Sequence, residues 1–294
     1  MSKLLLIRYI LCVYVFFCAQ FSCAGAFSMG SLITLEHGPY SMVIDADNGA
    51  RIIEFSFMGK NALTTSGPQI GSTFWPSPQH SWGWPPPPVL DSQPYEASAV
   101  EDGWIFTSQL CPITGLVLSK VIRPADKGFS VEYRMHNPSS KSLEYAPWEI
   151  TRVDGGLTFY NATTAPLVIS SLPVVALGNS FWYEYEPAGF DNNLKLFANN
   201  SDGWLANVNN GLLLKKTFPQ IIEGDIASQE AEVEVYAHGD PKHPYIEIEQ
   251  QGRYGEIAPG ESTSWIVGWA LSELPKGLDA SVGSSALLLL AEDL

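Results

Sequence analysis

The 294-residue chain predicts an all-β protein, built as an antiparallel sandwich or barrel. Three observations carry that prediction. Short alternating or β-branched segments recur from Leu32 to Leu271. Turn signals separate them throughout. No stretch before the C-terminus sustains the 3.6-residue apolar period of an amphipathic helix.

The elements follow in order. Leu32–Glu36, Ser41–Asp45 and Arg51–Phe57 open the series, with Asp47-Asn48-Gly49 as the turn before the third. Trp104–Ser108 follows the turn Asp102-Gly103, then come Leu116–Ile122 and Ser130–His136. After Asn137-Pro138-Ser139 the segment Ala146–Val153 reads as a strand, and Leu157–Tyr160 follows Asp154-Gly155-Gly156. Leu167–Ser170, Phe181–Tyr185, Leu194–Phe197 and Gly211–Leu214 continue the pattern. Ala231–Tyr236, Pro244–Gln250 and Thr263–Leu271 close it, the last after Ala258-Pro259-Gly260. The apolar tail Ala286–Leu290 reads as a docking terminal strand or helix.

Composition narrows the function classes. The chain is 46% hydrophobic and 12% aromatic, too apolar for a disordered protein. Its 16 basic residues face 31 acidic ones, a net charge of −15. No Lys/Arg cluster offsets this, so a nucleic-acid partner is not expected.

Residues 1–26 read as a secretory signal peptide. Lys3 and Arg8 give a basic start, and an apolar run extends from Tyr9 to about Ala19. Small residues follow at Ser22-Cys23-Ala24 and Ala24-Gly25-Ala26, two small-x-small cleavage patterns. The apolar run falls short of the ~20 residues of a spanning helix. The expectation is therefore an exported protein, periplasmic or extracellular, with no stable membrane insertion after cleavage. Residues 27–294 read as one domain, because no linker-like composition divides them. Loss of Lys3 and Arg8 leaves 14 basic against 31 acidic residues, a net −17. Only Cys111 then survives of the cysteines, so no internal disulfide forms and Cys111 reads as a buried small hydrophobe.

Gly71–Asp91, GSTFWPSPQHSWGWPPPPVLD, breaks the strand rhythm. Pro76, Pro78 and Pro85–Pro88 cannot donate to a ladder, so the segment reads as one long loop with a polyproline stretch. Long loops in compact domains are usually functional. Trp75, Trp82 and Trp84 on such a loop fit a platform on which flat sugar faces stack; the alternative is that they cap the core.

Candidate chemistry lies elsewhere as well. In Ala146–Val153, APWEITRV, strand alternation puts Glu149 and Thr151 on one face and Trp148, Ile150 and Arg152 on the other. Joint action of Glu149 and Arg152 would need a bulge. Glu232 and Glu234 share a face, as do Glu247 and Glu249. Paired carboxylates raise one another's pKa and supply acid or base chemistry, although a solvated strand face has the same pattern. His80, inside the Trp/Pro segment, is the best-placed imidazole for acid/base work. His238–His243, HGDPKH, has metal-ligating residue types without a standard spacing, and neither metal nor cofactor is expected.

Several motifs carry a resemblance. NGARIIEFSFMGKNAL at Asn48–Leu63 resembles the opening hairpin of the galactose-mutarotase-like superfamily. GSTFWPSP at Gly71–Pro78 is similar to the "G-x-P-x-x-F/W-P" loop of its sugar-phosphate epimerase branch. IEIEQQ at Ile246–Gln251 and IAPGESTSWIVGWAL at Ile257–Leu271 resemble its terminal "L-E-x-Q … L-x-P-G-E" strands. FWPSPQ…WGWPPPP, PWEITRV and the PGES…W ending resemble the DUF4380 family within that superfamily, over nearly all of residues 27–294. The resemblance implies a β-supersandwich with a concave sugar-binding face. It implies Glu249 as the general base of a mutarotase or aldose epimerase. His80 lies near the first family histidine position; Trp148-Glu149 stands at the second, and the family's "R-G-G-x-P" arginine has no counterpart.

Three readings stay open. The first is an exported sugar epimerase with Glu249 as base, His80 or Glu149 as acid and Arg152 as an oxygen clamp. Trp75, Trp82, Trp84 and Trp148 would form its stacking floor, with Arg51 and Glu234 as further substrate-binding candidates. The second is a non-catalytic protein that binds a mono- or oligosaccharide. The third is a polysaccharide lyase, which the net negative charge opposes for polyuronate substrates.

Overall fold

The computed structural model describes residues 25–29, 32–65, 67, 69–162, 168–186, 193–199 and 201–294. Most of the expected signal segment, residues 1–24, lies outside them, while its last two residues belong to a strand, Gly25–Met29. That strand pairs with Leu32–His37.

The fold is an antiparallel β-supersandwich of two large sheets. The larger runs from Gly25–Met29 through Leu32–His37, Tyr40–Asp45 and Arg51–Phe57 to Ser72–Ser77 and the long central strand Leu143–Val153. It continues through Ile246–Gln251, Val233–Ala237, Leu194–Ala198 and Val168–Ser170. The second sheet is centred on Leu212–Thr217, Ser262–Glu273 and Gly128–His136. The strands alternate as their sequences do, so one face of each sheet is apolar. Phe55, Phe129, Trp182 and Trp269 fill the space between the sheets with no exposed surface beyond a percent or so. Burying one such ring contributes roughly 1.5–3 kcal/mol. Cys111 is buried and free within this core.

The apolar tail is a helix, Ser285–Asp293, rather than a strand. Ser284 caps it by accepting from the Leu287 amide at 3.2 Å, and Leu287 and Ala291 dock on the core.

The Trp/Pro segment is not one loop. Ser72–Ser77 is a strand paired along its length with Leu143–Val153, in register Trp75 opposite Trp148 and Pro76 opposite Pro147. Pro76 fits here because the strand pairs with Arg51–Phe57 only through Ile52 and Ser72, leaving the Pro76 edge without a ladder to break. Gly71 makes the entry: a Cβ there would stand 2.1 Å from the Ile52 carbonyl oxygen, and its φ is +58°. A short 3-10 turn, Gln79–Ser81, and a one-turn helix, Pro88–Asp91, complete the segment.

Candidate functional site

Register carries side chains from distant segments into rows across one face of the larger sheet. Residues directly paired in antiparallel strands point the same way. One row is Lys195, Tyr236, Glu247 and Arg152. The next is Phe197, Glu234, Glu249, Ile150 and Thr73. A third is Gln251, Trp148 and Trp75. Together with the Trp/Pro segment they border a cavity of about 560 Å³, whose lining includes Trp75, Trp84, Trp148, Lys195, Tyr236 and Glu247. That volume falls within the range of small-molecule sites.

Behind the lining residues Lys195, Glu247 and Trp148 lies a buried, charged and hydrogen-bonded layer. Arg152 donates from Nε to Glu247 Oε1 at 2.7 Å and from Nη1 to Thr73 Oγ1 at 3.1 Å. Its guanidinium lies 5.6 Å from the Trp75 ring centroid. Lys195 Nζ stands 2.5 Å from Glu234 Oε2 and 3.3 Å from Glu249 Oε1. The same ammonium sits over the Trp148 ring at 5.3 Å. Trp148 donates its indole N–H to Glu249 Oε2 at 2.9 Å. Glu234 Oε1 accepts from the Ala231 amide and from Gln251 Nε2.

These carboxylates are not ordinary. Burial pushes Glu249 up to about 8, against the pull of Lys195, with Glu234 and Glu247 adding repulsion. Burial likewise raises Glu234 to about 7, opposed first by Lys195. Burial works against the charge on Lys195, but Glu249 and Glu234 outweigh it and hold the ammonium above its usual value. This buried layer thus carries a cation between two carboxyls whose protonation is shifted toward neutral pH, the condition for acid/base work.

Trp75 is the hub of the wall. It meets Trp82, Trp84 and Trp148 edge-on at ring distances of 5.9, 6.2 and 5.6 Å. Its indole N–H donates to Asp91 Oδ1 at 3.0 Å, and the same oxygen accepts from Arg51 Nη2 at 3.1 Å. Trp84 is 63% exposed. Trp82 packs behind this wall, donating to the Pro76 carbonyl at 2.7 Å.

The structure therefore brings Glu249, Glu234, Arg152, Trp75, Trp84 and Trp148 to one place. Arg51 stands a layer further out, oriented on Asp91 and the Ile70 carbonyl. Two candidates lie elsewhere. His80 is exposed on the turn Gln79–Ser81 and does not line the cavity. Glu149 points to the opposite face, between the sheets. Pairing of Trp148–Val153 with Ile246–Gln251 is continuous, so no bulge turns it round. There Glu149 Oε2 meets Lys216 Nζ at 3.1 Å, and its other oxygen accepts from Ser72 and Thr151. It is a core ion pair.

Other cavity residues carry no motif. Lys195 lies in an ordinary alternating strand. Tyr236 and Tyr245 read as apolar strand positions. His238 sat in the HGDPKH segment; it lines the cavity, stacked on Tyr245 at 4.6 Å, and its Nδ1 accepts from the Asp240 amide at 3.3 Å. Among the described residues no helix is long and apolar enough to cross a membrane.

No family model matches the chain, and no curated protein does. Solved structures do. A galactose mutarotase-like protein from Lactobacillus casei is 15% identical, with a TM-score of 0.58 over 82% of this chain and 100% of that one. A galactose mutarotase related enzyme from Lactobacillus acidophilus is 9% identical, with a TM-score of 0.60 over 85% of this chain and 100% of that one. A TPR-domain containing protein from Parabacteroides distasonis is 14% identical, with a TM-score of 0.59; this chain spans 48% of its length. At these identities the likeness is one of fold, and the fold of this chain is the galactose mutarotase-like β-supersandwich.

Proposed function

We propose that the protein is an exported sugar-modifying enzyme of the aldose-epimerase type, acting on the anomeric centre of a sugar held against Trp75, Trp84 and Trp148. One observation carries the reading: Glu249, buried directly beneath the lining of a Trp-walled cavity, is held between the Trp148 indole and Lys195, both of which line it. In this reading Glu249 accepts the proton of the anomeric hydroxyl as the ring opens, and returns it after rotation about the exposed carbon–carbon bond. Lys195 favours the ionised, proton-accepting form of Glu249 against burial. His238 donates to the ring oxygen; the hydrogen bond at its Nδ1 leaves Nε2 as the protonated nitrogen of the neutral ring. Arg152 and Tyr236 orient hydroxyls. The likeness to the DUF4380 motifs supports assignment to that group, and the basic-apolar-small order of residues 1–26 supports export. Two-dimensional exchange NMR on a panel of aldoses tests the activity; N-terminal sequencing of protein made in a secreting host tests the export.

A second reading is a non-catalytic sugar-binding protein. It is favoured by the complete burial of Glu249 beneath Lys195 and Trp148. Binding without exchange in the same panel selects it.

A further inference from the structure

The cations around the cavity are already engaged. Glu247 holds Arg152, and Glu234 and Glu249 share Lys195. Arg51 is matched by Asp91. Glu230 adds a further carboxylate, linked to Glu234 through Gln251, whose Nε2 lies 3.4 Å from Glu230 Oε2 and 2.8 Å from Glu234 Oε1. Glu230 also accepts from the Gln79 amide at 2.8 Å, tying it to the Trp/Pro wall. Among the described residues, Glu230, Glu234, Glu247 and Glu249 thus share Lys195 and Arg152. Burial raises both Glu234 and Glu249, so Glu247, which lines the cavity beside Arg152, is the carboxylate a ligand meets first. An anionic ligand would meet no cation free of a carboxylate among the residues described.

One corner of the cavity joins that charge to aromatic surface. Tyr236 is the direct cross-strand neighbour of Glu247, and the Tyr245 ring lies 6.4 Å from that of Tyr236. All three line the cavity. A carboxylate beside aromatic faces is the combination that holds an organic ammonium group. Two rows over, Gln251 Oε1 is buried beside Trp148 with no hydrogen-bond partner, an acceptor short of a donor. Arg152 Nη2 is buried and unpartnered too, and its charge being met by Glu247 suits it to a neutral hydroxyl oxygen.

We infer that the cavity selects an amino sugar, its protonated amine seated at Glu247 against Tyr236 and Tyr245, over sugars carrying phosphate or carboxylate. The inference rests on the sugar-binding reading above and sharpens its substrate class. A carboxylate has room for about four hydrogen bonds, so Glu247 can keep Arg152 while it receives the amine.

Tryptophan-fluorescence titration of the wild-type protein tests it, just below neutral pH, with hexosamines, their N-acetyl derivatives, the parent neutral hexoses, hexose 6-phosphates and hexuronates. The amines should bind about tenfold tighter than the neutral hexoses, a difference of about 1.4 kcal/mol. N-acetylation, which removes the charge and keeps the nitrogen, should abolish the gain, as should Glu247→Gln. High salt should shrink it. Neutral or N-acetylated sugars binding as tightly as the amines would overturn this inference and leave the sugar reading standing. Tighter binding of phosphates or uronates would overturn it also. A flat response to every sugar would overturn the sugar reading itself. The wild-type series decides the matter even where Glu247→Gln does not fold.

Discussion

Lys195 Nζ reaches across the strand Val233–Ala237 to within 3.3 Å of Glu249 Oε1. On the way it meets Glu234, so one ammonium serves two buried carboxyls. This makes stability pH-dependent with a definite sign. The folded state holds the Glu249 proton up to about 8, whereas the ordinary value is 4.5. The folded protein thus binds more protons than the unfolded chain between those values. The contribution of this group is full below the lower one and is lost as pH rises toward the upper one. Denaturation in urea at pH 5 and pH 8 should show Glu249→Gln gaining on the wild type as pH rises. Lys195→Met should do the reverse, destabilising by about 3–5 kcal/mol at pH 8 and less at pH 5. A pH-independent difference for both variants would remove the coupling.

Trp84 contributes to the wall and little to the core, being 63% exposed. Trp84→Ala should lower sugar affinity about tenfold, the loss of one stacking partner. Its unfolding free energy should stay within about 0.5 kcal/mol of wild type. Unchanged affinity in the fluorescence titration would take Trp84 out of the site.

Asp91 fixes Trp75, since one carboxylate oxygen accepts from both the indole and Arg51. Asp91→Ala leaves a buried guanidinium without its counter-ion and an indole N–H without an acceptor. The expected cost is about 3 kcal/mol. Near-ultraviolet circular dichroism should change as the Trp cluster loosens, and sugar affinity should fall. Asp91→Asn, which restores an acceptor to the indole, should recover part of the tryptophan signal.

Glu149 belongs to the interior, paired with Lys216, which burial pushes down to about 7 against the opposing pull of Glu149. Glu149→Gln should destabilise by about 3–5 kcal/mol through the stranded ammonium. Sugar affinity of the folded protein should be unchanged, and adding Lys216→Met should restore much of the stability. Loss of sugar binding without loss of stability would place Glu149 back in the site.

The fold was legible because strand alternation is a local property. APWEITRV alone assigns Glu149 and Arg152 to opposite faces, and the continuous pairing with Ile246–Gln251 keeps them there. Which face borders the cavity is not local. YIEIEQQ and AEVEVY read equally as solvated amphipathic strands, and only their register brings Glu234 opposite Glu249. Lys195, in LKLFA, looks like a surface lysine until Leu194–Ala198 pairs beside Glu234. His80 had only its sequence neighbours to recommend it, and the turn Gln79–Ser81 carries it to the exterior. Pro76 made Ser72–Ser77 look like a loop; the sparse pairing on one side of that strand removes the objection.

The central proposal is that the Trp-walled cavity catalyses proton transfer from an anomeric hydroxyl through Glu249. Two-dimensional exchange NMR of anomeric protons, run with the hexose or hexosamine that binds most tightly, measures that step directly. The wild type should speed interconversion of the anomers, and Glu249→Gln should reduce the rate at least a hundredfold, the usual contribution of a positioned acid or base, while binding persists. Equal rates for wild type, Glu249→Gln and buffer, with the sugar bound, would contradict it.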